Sequence, residues 1–328
     1  MSRIYEALQK AESERTLERR DREPRTPEPL ASVDLQFQTA VVETDEVRAF
    51  AAVPVNDSPV YTPSSASRFA ETPSTLLAGN GLDLNKIVRR PWTISATQLP
   101  ALLERGPVVE QFRSLRSRIY ELRDISPLKS ILVSSGMPQE GKSFISTNLA
   151  LSLARHKNSK VLLIDGDMRR YTLHELLGCE SHPGLADYLA GKASPEEVMQ
   201  RVEQTEETGS MSKSGLVNLT FIAGGNGGDK AADLSGNPRF GELIKLAAPH
   251  FDWIIVDSSP VIPVSDAVNL ARSCDGVLLV AREGVTKFPV AQRAQSELKA
   301  SNLLGFVLNA VHETPQVGSY YGYDANKE

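Results

Sequence analysis

The sequence has little of what marks secreted, membrane-spanning or nucleic-acid-binding proteins. Its 328 residues include only two cysteines, which lie far apart, so they form no disulfide framework and fit a reducing compartment. The longest apolar runs, such as Val277 to Ala281, have the length of a strand and not of a membrane span. The formal net charge of −5 gives no electrostatic reason to bind nucleic acid. We expect a cytoplasmic protein that reaches a membrane only through a partner or a surface helix.

The composition changes along the chain and predicts four segments. Residues 1–20 predict a short charged helix with Ile4, Leu8 and Ala11 on one stripe. Residues 21–100 are rich in Pro, Ser, Thr, Ala and Glu without sustained periodicity, which predicts a disordered N-terminal tether. Residues 101–314 predict the folded domain, and 315–328 a flexible polar tail.

Strand-like and helix-like patterns alternate within the predicted domain. The strand-like runs are apolar nearly throughout, which is typical of a parallel sheet covered by helices on both faces. This alternation, together with the phosphate-binding run from Gly136 to Ser143, predicts an α/β fold with a doubly wound, mainly parallel sheet of the P-loop NTPase type. Strands are predicted at 130–134, 160–165, 217–222, 252–257, 275–281 and 303–310. Helices are predicted at 108–122, 142–156, 195–202, 238–248, 264–273 and 289–300.

The run from Gly136 to Ser143 matches the phosphate-binding pattern G-x-x-x-x-G-K-[ST] and lies between a strand-like and a helical segment. Glycines let the backbone curl so that its N–H groups face a polyphosphate, and the helix start adds a partial positive charge. We expect Lys142 to reach the terminal phosphates of ATP and the Ser143 hydroxyl to ligate Mg²⁺. The predicted nucleotide-binding residues are Gly136, Met137, Pro138, Gln139, Glu140, Gly141, Lys142, Ser143 and Phe144.

Three acids stand at the ends of predicted strands, where ligands of parallel sheets bind. Asp257 follows an apolar strand, which is the usual Mg²⁺-holding element of P-loop proteins. Asp165 and Asp167 follow another strand and can serve as a base and a metal ligand. The predicted metal set is Ser143, Asp167 and Asp257, and the predicted catalytic set is Lys142, Asp165 and Asp167. We favour Asp165 as the base, although the spacing does not decide between Asp165 and Asp167.

Basic and aromatic residues beside these motifs are further candidates. Arg169 and Arg170 follow Asp167 after one residue, and we expect them to contact phosphate, a neighbouring subunit or a surface acid. Near the end of the chain, Tyr320, Tyr321 and Tyr323 form a cluster of exposed phenols. Beside a phosphotransfer site, they are candidate phosphoryl acceptors.

Together these motifs resemble the bacterial tyrosine autokinases (BY-kinases) of capsule and exopolysaccharide systems, over residues 108–328. The resemblance rests on the run from Glu110 to Arg116, the P-loop, the strand ending at Asp165 and the strand ending at Asp257. Residues 275–280 and 305–309 complete it. The opening residues 1–8 look like the start of members linked to exosortases or chain-length determinants.

The resemblance implies an enzyme that transfers phosphate from Mg-ATP to tyrosines in its own tail. It implies a homo-oligomeric ring in which Glu110, Arg113 and Arg116 lie at the subunit interface and each tail reaches a neighbour's active site. It also implies a separate membrane-anchored polysaccharide co-polymerase as activator, a cognate tyrosine phosphatase, and a position at the inner face of the plasma membrane. The implied role is control of polysaccharide polymerisation and export.

Two other functions are compatible with the P-loop. The first is a partitioning or cell-division-positioning ATPase, but that class carries a lysine at the place of Met137. The second is a non-catalytic scaffold that binds ATP in order to assemble a complex.

Overall fold

The computed structural model describes residues 34–38, 81–94, 98–155, 159–203 and 215–311. These residues form a nine-stranded sheet in the order β1-β9-β8-β3-β7-β4-β6-β5-β2. The six strands from β9 to β6 in this order are all parallel, and the antiparallel pairs are β1 with β9 and β5 with β6. The strands are β1 Asp34–Gln38, β2 Val88–Arg90, β3 Ser130–Ser135, β4 Val161–Asp165, β5 Met199–Val202, β6 Leu219–Ile222, β7 Trp253–Asp257, β8 Gly276–Arg282 and β9 Leu303–Val311.

Helices cover both faces of this sheet. On one face, α1 and α2 pack against side chains such as Ile131, Val133 and Ile255. On the other, α7, α8 and α9 pack against side chains such as Leu132 and Ile254. The helices are α1 Pro107–Ile125, α2 Lys142–Ala154, α3 Leu173–Leu177, α4 Leu185–Leu189, α5 Pro195–Val198, α6 Ala231–Ser235, α7 Arg239–Ala247, α8 Asp266–Ala271 and α9 Phe288–Glu297. The predicted doubly wound α/β fold is confirmed.

The central strands are buried along their whole length. Every residue of β3, β4, β6 and β7 is buried, which explains why these strands read as continuous apolar runs and not as alternating ones. All six predicted strands are present. Within the described ranges, no helix is long and apolar enough to cross a membrane.

The predicted helix at 195–202 is wrong in its second half. The helix starts as expected, because Ser194 and Glu197 form a capping box around Pro195. It ends at Val198, and Met199–Val202 forms β5 between β6 and β2. Strand pairing with β6 fixes these residues, and local helix propensity does not outweigh such tertiary pairing.

The predicted tether also differs from the structure inside its range of 21–100. Residues Asp34–Gln38 form β1 at one edge of the sheet, and Val88–Arg90 form β2 at the other. Leu82 and Ile87 are buried in the core, so ordered structure begins earlier than the predicted domain start at residue 101. Short edge strands lack the long periodic pattern that sequence analysis needs. The helix predicted at 1–20 and the tail predicted at 315–328 lie outside the described residues.

Helix α1 supports the helix that begins at the P-loop. The helix predicted at 108–122 is confirmed, and its side chains Phe112, Leu115 and Ile119 are buried in the core shared with α2. The ring of Phe112 lies 5.8 Å from that of Phe144 in the first turn of α2. Packing against α1 therefore stabilises the start of α2.

Replacing Phe112 with alanine should lower the free energy of unfolding by about 3–5 kcal/mol, because the change removes a buried ring and leaves a cavity. Ile125→Ala on the same helix is the control: Ile125 is 83% exposed, so its change should stay within about 0.5 kcal/mol. Urea denaturation of both variants measures the difference. Equal losses for the two variants would contradict this account of the α1 core.

Candidate active site

The P-loop has the backbone shape that its sequence predicts. It leaves the end of β3 and enters α2 at Lys142, with Gly141 as the N-cap residue at φ 97°. That conformation favours glycine, and a Cβ on Gly141 would lie only 1.9 Å from Nδ2 of Asn309. Since the first N–H groups of a helix have no intrahelical acceptor, those at the start of α2 are available to an anion.

The predicted nucleotide-binding residues differ in which of their groups are free to contact a nucleotide. Met137, Pro138 and Gln139 are exposed at the outer arm of the loop. The Met137 N–H, however, already donates to the carboxylate of Glu140 over 2.9 Å. The Phe144 ring packs against Phe112, so only the backbone of Phe144 is left to face a ligand.

Lys142 and Ser143 meet the strand-end acids as predicted. Nζ of Lys142 lies 3.1 Å from Oδ2 of Asp167 and 3.2 Å from the Ser143 hydroxyl. The Ser143 hydroxyl donates to Oδ2 of Asp257 over 2.7 Å. Lys142 and Asp167 are mostly buried, with side-chain exposures of 14% and 5%. An ammonium, a hydroxyl and two carboxylates are thus joined by consecutive contacts from Asp167 through Lys142 and Ser143 to Asp257.

The order of the strands explains this convergence. β7 lies between β3 and β4, so the acids at the ends of β7 and β4 lie beside the P-loop. Asp165 and Asp257 are directly opposite in the register of β4 and β7. Gly166 then donates its N–H to the carbonyl of Asp257 over 2.8 Å, and a Cβ on Gly166 would lie 2.6 Å from that oxygen. The glycine in the Asp165-Gly166-Asp167 run therefore permits the close approach of the two strand ends.

The electrostatics of the site follow from burial. Burial raises the pKa of Asp165 well above its usual value, and the nearby Asp257 carboxylate raises it further. Burial also raises the pKa of Asp257, against the opposing effects of Lys142 and the Ser143 hydroxyl. Burial alone would lower the pKa of Lys142, but Asp257 and Asp167 outweigh it and raise that pKa. Lys142 therefore remains an ammonium group.

Asp165 and Asp167 have different surroundings. The Asp165 carboxylate accepts the backbone N–H groups of Leu173 and Asp167, both over 3.2 Å. Asp167 faces Lys142 and accepts the Arg170 N–H over 3.1 Å. Asp165 therefore shapes the loop after β4, whereas Asp167 presents its carboxylate to the P-loop lysine.

The oxygen donors at this site fit a magnesium ion. Ser143, Asp257 and Asp167 supply a hydroxyl and carboxylates, which are the hard ligands that Mg²⁺ prefers. Among the described residues no group of three or more His, Cys, Asp or Glu side chains is placed to hold a metal by itself. That is compatible with Mg²⁺, which usually takes only one or two carboxylates together with substrate phosphates and water.

The sequence analysis missed one residue of this cluster. The Ser146 hydroxyl donates to Oδ1 of Asp257 over 3.1 Å, so Asp257 is held by two hydroxyls from α2. Ser146 lies one turn after Ser143 on the same helix face, and that i, i+3 spacing is a signal that was available in the sequence.

The remaining candidates are not part of this cluster in the described part of the chain. Arg169 forms an ion pair with Asp266, with Nε 2.7 Å from Oδ2, so of the three alternatives the salt bridge occurs, although its acid is buried and not at the surface. Glu110 and Arg113 are exposed and pair with each other, whereas Arg116 is partly buried and donates to the Ser152 carbonyl over 2.7 Å. The three candidate acceptors, Tyr320, Tyr321 and Tyr323, lie outside the described residues.

Curated tyrosine-protein kinases are similar to the chain in sequence. Tyrosine-protein kinase YwqD of Bacillus subtilis (strain 168) is 31% identical over 221 residues, which are 67% of the chain and 87% of YwqD. Tyrosine-protein kinase Wzc of Salmonella typhimurium (strain LT2) is 31% identical over 219 residues. That match covers 66% of the chain, but the chain spans only 28% of the length of Wzc. No protein-family model matches the chain.

A solved structure shares the fold. The kinase domain of the Escherichia coli tyrosine kinase ETK superposes with a TM-score of 0.56 at 30% sequence identity. The match covers 63% of this chain and 78% of that domain.

Replacing Gly141 with alanine should abolish measurable binding of ATP, because the new Cβ would displace Asn309 or the loop itself. Gly191→Ala is the matched control: its φ of 75° gives similar backbone strain, but nothing lies within 4 Å of the added carbon. We expect that control to lose about 1 kcal/mol of stability and to bind ATP normally. Affinity is measured by titration with a fluorescent ATP analogue, and stability by thermal unfolding of both variants. Equal ATP affinities of the two variants would contradict the described loop geometry.

Proposed function

Because the chain belongs to the family of bacterial tyrosine-protein kinases, we propose that it is a Mg²⁺- and ATP-dependent kinase that phosphorylates tyrosines in its own C-terminal tail. The observation that carries this proposal is the meeting of Lys142 and Ser143 with Asp167 and Asp257 at the carboxyl ends of adjacent strands. Phosphoryl transfer asks a protein mainly for positioning and charge neutralisation, and this set supplies both.

Each residue has a proposed role toward the nucleotide. The N–H groups at the start of α2 hold the phosphates, and the Lys142 ammonium neutralises the charge on the terminal ones. Ser143, Asp257 and Asp167 would hold the magnesium ion. When bound, that ion neutralises charge on the phosphate oxygens.

We assign the proton-accepting role to Asp165. Its raised pKa supports this assignment, since a carboxylate whose pKa is closer to the working pH is a stronger base. It also lies directly opposite Asp257 across the β4–β7 pair, at the same end of the sheet as Lys142.

We further propose that Tyr320, Tyr321 and Tyr323 are the acceptors and that phosphorylation occurs between subunits of a homo-oligomer. The exposed ends of Glu110 and Arg113 on α1 support an interface there. Family membership also supports a separate membrane-anchored activator and a cognate phosphatase, and hence a place at the inner face of the plasma membrane. Control of exopolysaccharide or capsule polymerisation and export is the cellular role that fits these partners.

Lys142→Met should abolish autophosphorylation, because the variant loses the cation that the phosphates and two carboxylates share. Lys192→Met, at an exposed position distant in sequence from the P-loop, is the control and should keep full activity. Incubation with ATP and Mg²⁺, followed by anti-phosphotyrosine detection, measures the effect. Phosphotyrosine in Lys142→Met would contradict the site assignment. If the unaltered protein releases phosphate but forms no phosphotyrosine, the result would favour a positioning ATPase. If it forms neither free phosphate nor phosphotyrosine, the result would favour a scaffold.

Replacing Tyr320, Tyr321 and Tyr323 with phenylalanine should remove most of the phosphotyrosine, because the phenol oxygens are the proposed acceptors. ATP binding should not change, since none of the three is among the predicted nucleotide-binding residues. Mass spectrometry of the labelled protein locates the modified residues. Undiminished label would place the acceptors elsewhere, such as Tyr5 or Tyr61.

A further inference from the structure

The outer arm of the P-loop, residues 137–140, is held by the side chain of Glu140 and by contacts with segments outside the loop. Glu140 is only 2% exposed, although it carries a carboxylate. Oε2 accepts the Met137 N–H over 2.9 Å, and Oε1 accepts the hydroxyl of Thr286. The Glu140 carbonyl also accepts Nδ2 of Asn309 over 3.0 Å. Glu140 thus joins the P-loop to the loop after β8 and to β9.

Thr286 is fixed in the position from which it can donate. It lies in the turn between β8 and α9, where its N–H donates to the Arg282 carbonyl over 2.9 Å. In return, the Arg282 N–H donates to the Thr286 hydroxyl oxygen over 2.8 Å. Because that oxygen already accepts a hydrogen bond, its own proton is directed to Glu140.

The same turn and helix touch the P-loop at two more points. Nη1 of Arg282 lies 3.4 Å from the carbonyl of Gln139, a non-glycine residue at φ 65°. That conformation is uncommon for glutamine, so the surrounding contacts must maintain it. At the other end of the loop, a Cβ on Gly136 would lie 3.0 Å from Cγ1 of Val290 in α9. The first residue and the outer arm of the P-loop therefore both lie against the segment from Arg282 to α9.

We propose that Thr286 is a positioning residue for nucleotide binding, acting through Glu140 to hold the outer arm of the P-loop in its binding shape. This inference depends on one part of the proposed function, which is that the P-loop binds ATP. Removing the hydroxyl would leave one oxygen of a buried carboxylate without its partner, which is unfavourable. Glu140 would then turn toward other donors or solvent and release the Met137 N–H. The amide cradle would lose its fixed shape before ATP arrives, and binding would have to restore that shape.

The test compares Thr286→Val, which keeps the size of the side chain, with Thr286→Ser, which keeps the hydroxyl. Affinity is measured by titration with a fluorescent ATP analogue in the presence of Mg²⁺, and the autophosphorylation rate at saturating ATP is measured in parallel. Thr286→Val should weaken binding about tenfold, the effect of one hydrogen bond to a charged group, while the saturated rate changes by less than about twofold. Thr286→Ser should restore the affinity. Val285, the exposed neighbour of Thr286, provides the control: Val285→Ser should bind the ATP analogue with the affinity of the unaltered protein.

A double-mutant cycle with Glu140→Met tests whether Thr286 acts through Glu140. Methionine has a similar length but no acceptor oxygen and no N–H, so it breaks both side-chain contacts. The double variant should bind ATP no more weakly than the weaker single variant, because both changes break the same link. Additive losses, or a Thr286→Val variant with unaltered affinity, would overturn the inference and leave the proposed function intact. Failure of the unaltered protein to bind the analogue would overturn both.

Discussion

One ammonium group among three buried carboxylates dominates the electrostatics of this molecule. Lys142 lies in the first turn of α2 and interacts with Asp167, Asp257 and Asp165, all of them buried. The protein's own groups therefore carry an excess of negative charge in a buried site. Burial raises the pKa values of both Asp165 and Asp257, and neighbouring carboxylates add to the rise. The carboxylates of such a site stabilise a bound divalent cation. The cation in turn lowers the pKa values of Asp165 and Asp257. The same charges that make the site costly to fold make it suitable for Mg-ATP.

Helix α1 connects this site to the surface on which assembly is proposed. Its apolar stripe packs on α2 through Phe112, and its charged stripe exposes Glu110 and Arg113. Between the two stripes, the Arg116 guanidinium donates to the Ser152 carbonyl near the end of α2. A cation near a helix C-terminus is favourable, and burial lowers the pKa of Arg116 without removing its charge. One helix thus contacts both the scaffold of the P-loop and the proposed subunit interface.

The sequence predicts the centre of the fold and of the site well, because both follow from local patterns joined to one topological rule. Buried strands appear as apolar runs, and acids that follow such runs must gather at one edge of a parallel sheet. Asp165 and Asp257 illustrate the rule, since they lie opposite each other although 92 positions separate them.

What the sequence does not predict depends on contacts between distant segments. The helix-like run at 199–202 became a strand because β6 offers it a partner, and residues 88–90 form a strand only beside β5. The ion pair of Arg169 with Asp266 and the contact of Glu140 with Thr286 leave no local trace, since their partners lie far apart along the chain. Spacing also cannot distinguish Asp165 from Asp167. The structure separates them by their partners, which are backbone N–H groups for one and the Lys142 ammonium for the other.

The most direct test of this account is a crystal structure of the chain with Mg²⁺ and a non-hydrolysable ATP analogue. We expect the metal about 2.1 Å from the Ser143 hydroxyl oxygen, with Asp257 beside it and the terminal phosphate next to Lys142. A nucleotide bound elsewhere, or a metal that contacts neither Ser143 nor the acids at the ends of β4 and β7, would contradict the account.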